Sequence, residues 1–194
     1  MSVLFCSLMF RLSSFLASFP CVAFSGSRLC SSPAAASCRA FLPSVASFSG
    51  SVGVGCAWGV DALVRSAFPS ASVFSVSSFA VGGRVCRASF ARRSSALVSW
   101  CASGGGLLVA FPLGACPSGV VVSSSFSGRG SGSWGSVALA LGLGCPVLVV
   151  APVGVSSSWF GSLASSFRPV GVAPCGGSLW VSCPPSGGQL SFPF

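Results

Sequence analysis

The run Leu107-Leu108-Val109-Ala110-Phe111 constrains this chain more than any other segment. Five apolar residues stand in a row, with Gly104-Gly105-Gly106 before them and Pro112 after. The run lacks the alternation that would leave a polar face for water. It predicts a strand buried on both faces, as in a parallel sheet covered by helices above and below. Pro146 to Ala151 has the same character.

The segments around these two strands alternate between strand and helix. Residues 20–25, PCVAFS, read as a short buried strand, and Gly26-Ser27-Arg28 turn the chain. Ser32 and Pro33 predict a helix start: a Ser hydroxyl accepts an early amide, and Pro loses nothing at the first helical position. That helix runs through AAASCRAFL until Pro43 interrupts it. Val52 to Cys56 is a second strand, and Ala57-Trp58-Gly59 a turn. Val60 to Phe68 is a short helix with Asp61 in its first turn, where a carboxylate suits the helix dipole. Ala71 to Val76 is a third strand. Ala88 to Ala102 is a longer helix, with Phe90, Ala91, Ser94, Leu97, Val98 and Cys101 recurring at three- and four-residue spacing. A Ser/Gly-dense loop at 123–133 leads to a helix from Ser136 to Leu143. Ser156 to Phe167 reads as a short helix and Ser178 to Cys183 as an edge strand. This order predicts an α/β chain: a Rossmann-like three-layer sandwich with a mostly parallel central sheet. Residues 1–19 form an apolar N-terminal segment, a first helix or strand. Residues 20–183 form the domain. Residues 184–194, with Pro184, Pro185, Gly187 and Gly188, form a loose tail.

Composition narrows the chemistry. Asp61 is the sole acidic residue against ten Arg, for a formal charge of +9, and the chain has no His, Lys, Glu, Tyr, Thr, Ile or Asn. Paired-carboxylate glycoside hydrolysis, His-containing triads, carboxylate-held two-metal sites and a Lys-based phosphate loop therefore have no residues to draw on. Of the 194 residues 43 are Ser and 25 Gly, so hydroxyls and bare backbone fill much of the surface role. Arg suits bidentate contact with phosphate or carboxylate, and the positive balance is compatible with nucleotide, nucleic-acid or anionic membrane partners. It equally serves solubility in a surface poor in ions. The 11 Cys include no CxxC pair and have no His to complete a zinc set, so no metal is expected. Cys56, Cys101 and Cys145 sit in apolar runs and read as small buried hydrophobes in a reducing, cytoplasmic setting. Arg11 falls in the middle of the apolar N-terminal stretch, whereas a secretory signal carries its basic residue first. No window reaches 18 consecutive apolar residues, so no membrane span is expected.

Ligands of an open parallel sheet bind at the carboxyl ends of its strands. Four segments fall there: 26–28, 55–61, 91–94 and 128–136. In the last, SGRGSGSWGS precedes a helix whose first amides can hold an anion. Gly130, Gly132 and Gly135 permit close backbone approach, Ser131, Ser133 and Ser136 add hydroxyls, and Arg129 adds charge. A Ser/Gly linker without function is the alternative. Arg92 and Arg93 point about 100° apart on their helix, so at most one faces a given target. Asp61 either serves its helix start or orients a neighbouring Arg or ligand hydroxyl. Trp58 and Trp134 either stack on a base or cover the end of the sheet.

Several stretches in this order resemble the SLOG superfamily of Rossmann-like proteins, which includes the DNA-processing protein A family and the Lonely Guy phosphoribohydrolases. They are GSR at 26–28, VGCAWGVDALVRSAFP at 54–69, ARRSSALV at 91–98, LLVAFP at 107–112 and GSGSWGSVALALGLGCPVLVVAP at 130–152. The resemblance implies a phosphate site lined by Gly26, Ser27 and Arg28, by Gly59 and Asp61, by Arg92 or Arg93, and by Gly130, Ser131, Gly132, Ser133 and Ser136. It implies nucleotide or single-stranded nucleic acid as partner and self-association into a homo-oligomer; no cofactor is expected. The phosphoribohydrolase branch uses a Glu that this chain lacks. Three readings follow: a nucleotide or nucleic-acid phosphate-binding domain, an N-glycosidic hydrolase using Asp61, or a structural protein with a degenerate site.

Overall fold

The computed structural model describes residues 12–127 and 131–182. Seven strands form one sheet: β1 (Cys21–Gly26), β2 (Ser51–Gly55), β3 (Ser72–Phe74), β4 (Leu107–Phe111), β5 (Val147–Ala151), β6 (Phe167–Val172) and β7 (Ser178–Ser182), in the order β3-β2-β1-β4-β5-β7-β6. The pairs among β1 to β5 are parallel, while β7 runs antiparallel to both β5 and β6. Helices cover both faces: α1 (residues 12–17), α2 (Pro33–Phe41), α3 (Val60–Ala67), α4 (Arg87–Ser103) and α5 (Gly132–Gly142). This is the expected Rossmann-like three-layer sandwich.

Alternate residues of each strand feed opposite cores. Val22, Phe24, Val109 and Phe111 point to the side covered by α1, α2 and α3, where they meet Leu16, Phe41 and Val64. Ala23, Leu108, Ala110 and Val149 point to the other side and meet Leu97, Trp134 and Val137 of α4 and α5. Every residue of β4 and of β5 is buried, as their unbroken apolar runs require. The small residues on the second side let large rings approach. A Cβ on Gly53 would stand 2.8 Å from Trp100 Cε3.

Local signals set several boundaries. Ser32 caps α2 by accepting the Ala35 amide at 3.2 Å, with Pro33 at the first helical position. Pro43 stops α2 and the chain continues as a 3-10 turn, Leu42–Val45. Two boundaries differ from expectation. Helix α5 begins at Gly132, capped by Ser131, and not near Ser136. The segment at 178–182 is an inner strand, because Phe167–Val172 forms the outer edge beyond it. Pro169 and a register irregularity between Pro169 and Gly171 mark that edge, and both limit further pairing. The region 156–167 forms 3-10 turns broken at Gly161, where φ is 53°. The first 11 residues and the tail 184–194 lie outside the described residues. No helix among the described residues is long and apolar enough to cross a membrane.

The thiols are a stability handle. Among the described residues all nine Cys are free; Cys101 and Cys145 are buried as expected, whereas Cys56 is half-buried and accepts the Val76 amide. Cys38 is fully buried, and burial pushes its thiol from the ordinary 9.0 up to about 12, with the Asp61 carboxylate acting in the same direction. The unfolded chain therefore ionises at this position before the folded one does. Its contribution is complete below pH 9 and is lost as pH climbs toward 12. The thermal midpoint should fall over that window, and Cys38→Ala should make the fall shallower. An unchanged slope in the variant would remove Cys38 from this account.

Candidate functional site

The strand order reverses direction between β1 and β4, which places a crevice at their carboxyl ends. The β1–α2 loop is anchored there on both sides. The Ser27 amide donates to Phe111 O at 3.3 Å, its carbonyl accepts the Val60 amide at 3.0 Å, and its Oγ accepts the Leu29 amide at 3.1 Å. Two glycines permit this closeness. Gly59 caps α3 at φ 66°, and a Cβ on it would strike the Ser27 carbonyl. A Cβ on Gly26 would come within 2.9 Å of three Val60 side-chain atoms. Gly59 thus spaces two loops, while Gly26 also lines the crevice.

Beneath the loops lies a buried ion pair. Arg93 Nη1 donates to Asp61 Oδ2 at 2.8 Å, and the two residues are 7% and 5% exposed. The Ala57 amide donates to the same Oδ2 at 3.1 Å. Gly55, at the end of β2, leaves the space the pair occupies, since a Cβ would overlap Arg93 Nη1 and Asp61 Oδ2. Arg65, one helical turn after Asp61, holds the same loop through Nη1 to Gly55 O (2.6 Å) and Nη2 to Ala57 O (3.0 Å). Arg93 Nε is buried and has no hydrogen-bond partner among the described residues.

These parts surround a cavity of about 170 Å³, lined by Ser25 to Arg28 of the first loop, by Asp61, Arg93 and Ser94, and by Ser131, Gly132, Ser133 and Ser136 of α5. The first amides of a helix have no acceptor within it, so α5 presents donors and a partial positive charge here. Asp61 offsets Arg93, and Arg28 leaves the described lining with one net positive charge. Arg28 is exposed and lies over the Phe90 ring, 4.7 Å from its centroid. A second cavity of about 520 Å³ adjoins the first, sharing Arg28, Ser94 and Gly132 and adding Arg87, Phe90 and Phe126.

The structure thus brings together Gly26, Ser27, Arg28, Asp61, Arg93, Ser131, Gly132, Ser133 and Ser136. It sets Arg92, Trp58 and the Trp134 ring apart from them. Arg92 is exposed and lines neither cavity, because Arg93 takes the inward position on α4. Trp134 offers no face to a base: it is 1% exposed, donates Nε1–H to Gly114 O at 2.9 Å, and packs edge-on against Trp159 and Phe160. Trp58 is 76% exposed and lines neither cavity. Arg129 and Gly130 lie outside the described residues. Arg65, Arg87 and Phe126 lie outside the expected site segments, and Gly55, the first residue of the expected 55–61 segment, makes room for the ion pair and lines neither cavity. For Arg65 a signal existed, its spacing of four from Asp61 on one helix.

No protein-family model matches the sequence, and no curated protein matches it. Among solved structures, the fold is similar to the X-ray structure of DNA processing protein A from Streptococcus pneumoniae, with a TM-score of 0.50 and 16% sequence identity. The likeness covers 73% of this chain and 53% of that one, so the chain spans about half the length of the protein it matches.

Proposed function

We propose, on this SLOG-type Rossmann-like fold, that the chain binds a phosphate group of a nucleotide or of single-stranded nucleic acid. The observation that carries the reading is a cavity lined both by Arg93, whose buried Nε has no partner among the described residues, and by the start of α5. A phosphate oxygen there accepts from Arg93, from the first amides of α5 and from the Ser133 hydroxyl, while the Ser136 hydroxyl donates to Gly132 O at 3.1 Å. Asp61 holds the guanidinium in place and takes only part of its donor capacity. The larger adjoining cavity, with Phe90 and Phe126 in its lining, suits the sugar and base of the same unit. Arg28 stands between the two and contributes charge to both.

The test is binding of a fluorescent single-stranded oligonucleotide and of nucleoside monophosphates at several salt concentrations. Affinity for the oligonucleotide should fall linearly on a log–log plot against salt, and Arg28→Ala should both weaken binding and reduce that slope by about one contact. Equal affinity of the native chain and Arg28→Ala for both ligands would count against this site. Asp61 also lines the cavity, which keeps a second reading open to a direct assay. Free base released from nucleoside monophosphates, and lost in Asp61→Asn, would assign the site to N-glycosidic hydrolysis instead.

A further inference from the structure

Three buried thiols gather at the end of the sheet opposite the cavity. Cys21 opens β1, Cys101 lies in the last turns of α4, and Cys145 stands just before β5. The sulfurs of Cys101 and Cys145 are 3.8 Å apart, although the residues are 44 positions apart in sequence. Neither side chain is open to solvent, at 0% and 4% exposed. Gly106 makes the gathering possible, because a Cβ there would stand 2.9 Å from Cys101 Sγ and collide with Cys21 Sγ. Cys145 sits between Gly144, whose φ is 70°, and Pro146, in a turn and not inside a helix or strand.

We propose that Cys101 and Cys145 are a dithiol oxidation site that closes to a reversible disulfide, separate from the anion site. The geometry is already close. Side-chain rotation has to bring the sulfurs from 3.8 Å to the bonded distance of about 2.05 Å. The two thiols are also unequal. Contact with the Cys101 side chain favours the ionised form of Cys145, burial opposes it and the Leu108 amide favours it again, for a net downward shift, while Cys101 is pushed up by that same contact and by burial. The proposed step has Cys145 as the attacking sulfur.

With hydrogen peroxide as oxidant, the Cys145 thiolate attacks one peroxide oxygen. The O–O bond breaks, and the departing hydroxide takes a proton to leave as water. Cys145 is then a sulfenic acid. The Cys101 sulfur attacks it, the S–S bond forms as the S–O bond breaks, and hydroxide leaves with the Cys101 proton as a second water. Two thiols and one peroxide become one disulfide and two waters. A dithiol reductant reverses the change. Cys21 gives a competing pairing, since its thiol donates to the Cys101 carbonyl at 3.8 Å and its sulfur lies beside the same glycine.

The experiment treats the folded full chain with hydrogen peroxide, blocks the remaining thiols in denaturant, and maps cross-linked peptides without reduction. The expected result is a product two hydrogens lighter, a cross-link between the Cys101 and Cys145 peptides, and a raised thermal midpoint that dithiothreitol returns to its starting value. Cys145→Ser and Cys101→Ser should each abolish the cross-link, and Cys30→Ser should leave it intact. Alkylation of Cys101 and Cys145 to the same extent as before treatment would overturn the proposal, as would a cross-link that joins Cys21 to Cys101. The mapping uses the native chain, so a variant that fails to fold does not blunt the test.

Discussion

Asp61→Ala should lower the free energy of unfolding by about 3–5 kcal/mol, the cost of leaving a buried charge without its partner. Arg93 is 7% exposed and has its contact with Asp61 as its sole hydrogen bond among the described residues. Removing the carboxylate also frees the Ala57 amide and so loosens the β2–α3 loop. Urea unfolding of the two proteins gives the difference directly. A loss below about 1 kcal/mol, the scale of an exposed pair, would mean that water reaches Arg93 freely. The variant has a second signature. Inorganic phosphate should raise its midpoint more than that of the native chain, because an anion in the cavity can stand in for the missing carboxylate. Equal shifts would place the bound anion away from Arg93.

Arg93→Met combined with Asp61→Asn should separate binding from stability. Replacing both members of a buried ion pair by groups of similar shape removes two desolvation penalties together with their attraction, so the net change in stability is small. Binding has no such compensation. Hydrogen bonds to charged groups contribute about 1.5–3 kcal/mol, so affinity for a phosphate ligand should fall roughly 10- to 150-fold. Isothermal titration of the double variant, with circular dichroism as a check on folding, measures both quantities. Retained affinity in a folded variant would show that Arg28 and the start of α5 suffice and that Arg93 serves the fold alone.

The sequence carried more of the fold than of the site. Continuous apolar runs at 107–111 and 147–151 mean burial on both faces in nearly any context, and the structure buries every residue of both. The Ser32–Pro33 helix start was equally plain, because each residue performs one defined task at a helix terminus. The start of α5 was obscured by composition. Of the 14 residues from 123 to 136, 11 are Ser or Gly, so nearly every position qualifies as a cap, and the choice of Ser131 depends on how the helix packs. Strand β6 carries little sequence signal because Pro169 and Gly171 lower strand propensity, which pairing with β7 outweighs.

Periodicity, caps and glycine turns act over a few residues, and they are enough to place the loops after β1 and β2 and the Ser/Gly-rich loop before α5 at one end of a parallel sheet. The choice among neighbours acts over longer separations. Arg93 reaches Asp61 from 32 positions away, and Gly55 leaves room for the pair. Trp134 turns into the aromatic cluster with Trp159 and Phe160 while the Ser residues flanking it line the cavity. Adjacent Arg residues, or Trp and Ser in one helical turn, have equal local standing. Their difference arises when the helix face is fixed by burial of Leu97, Val98 and Val137 against the sheet, and that burial is a property of the assembled layers.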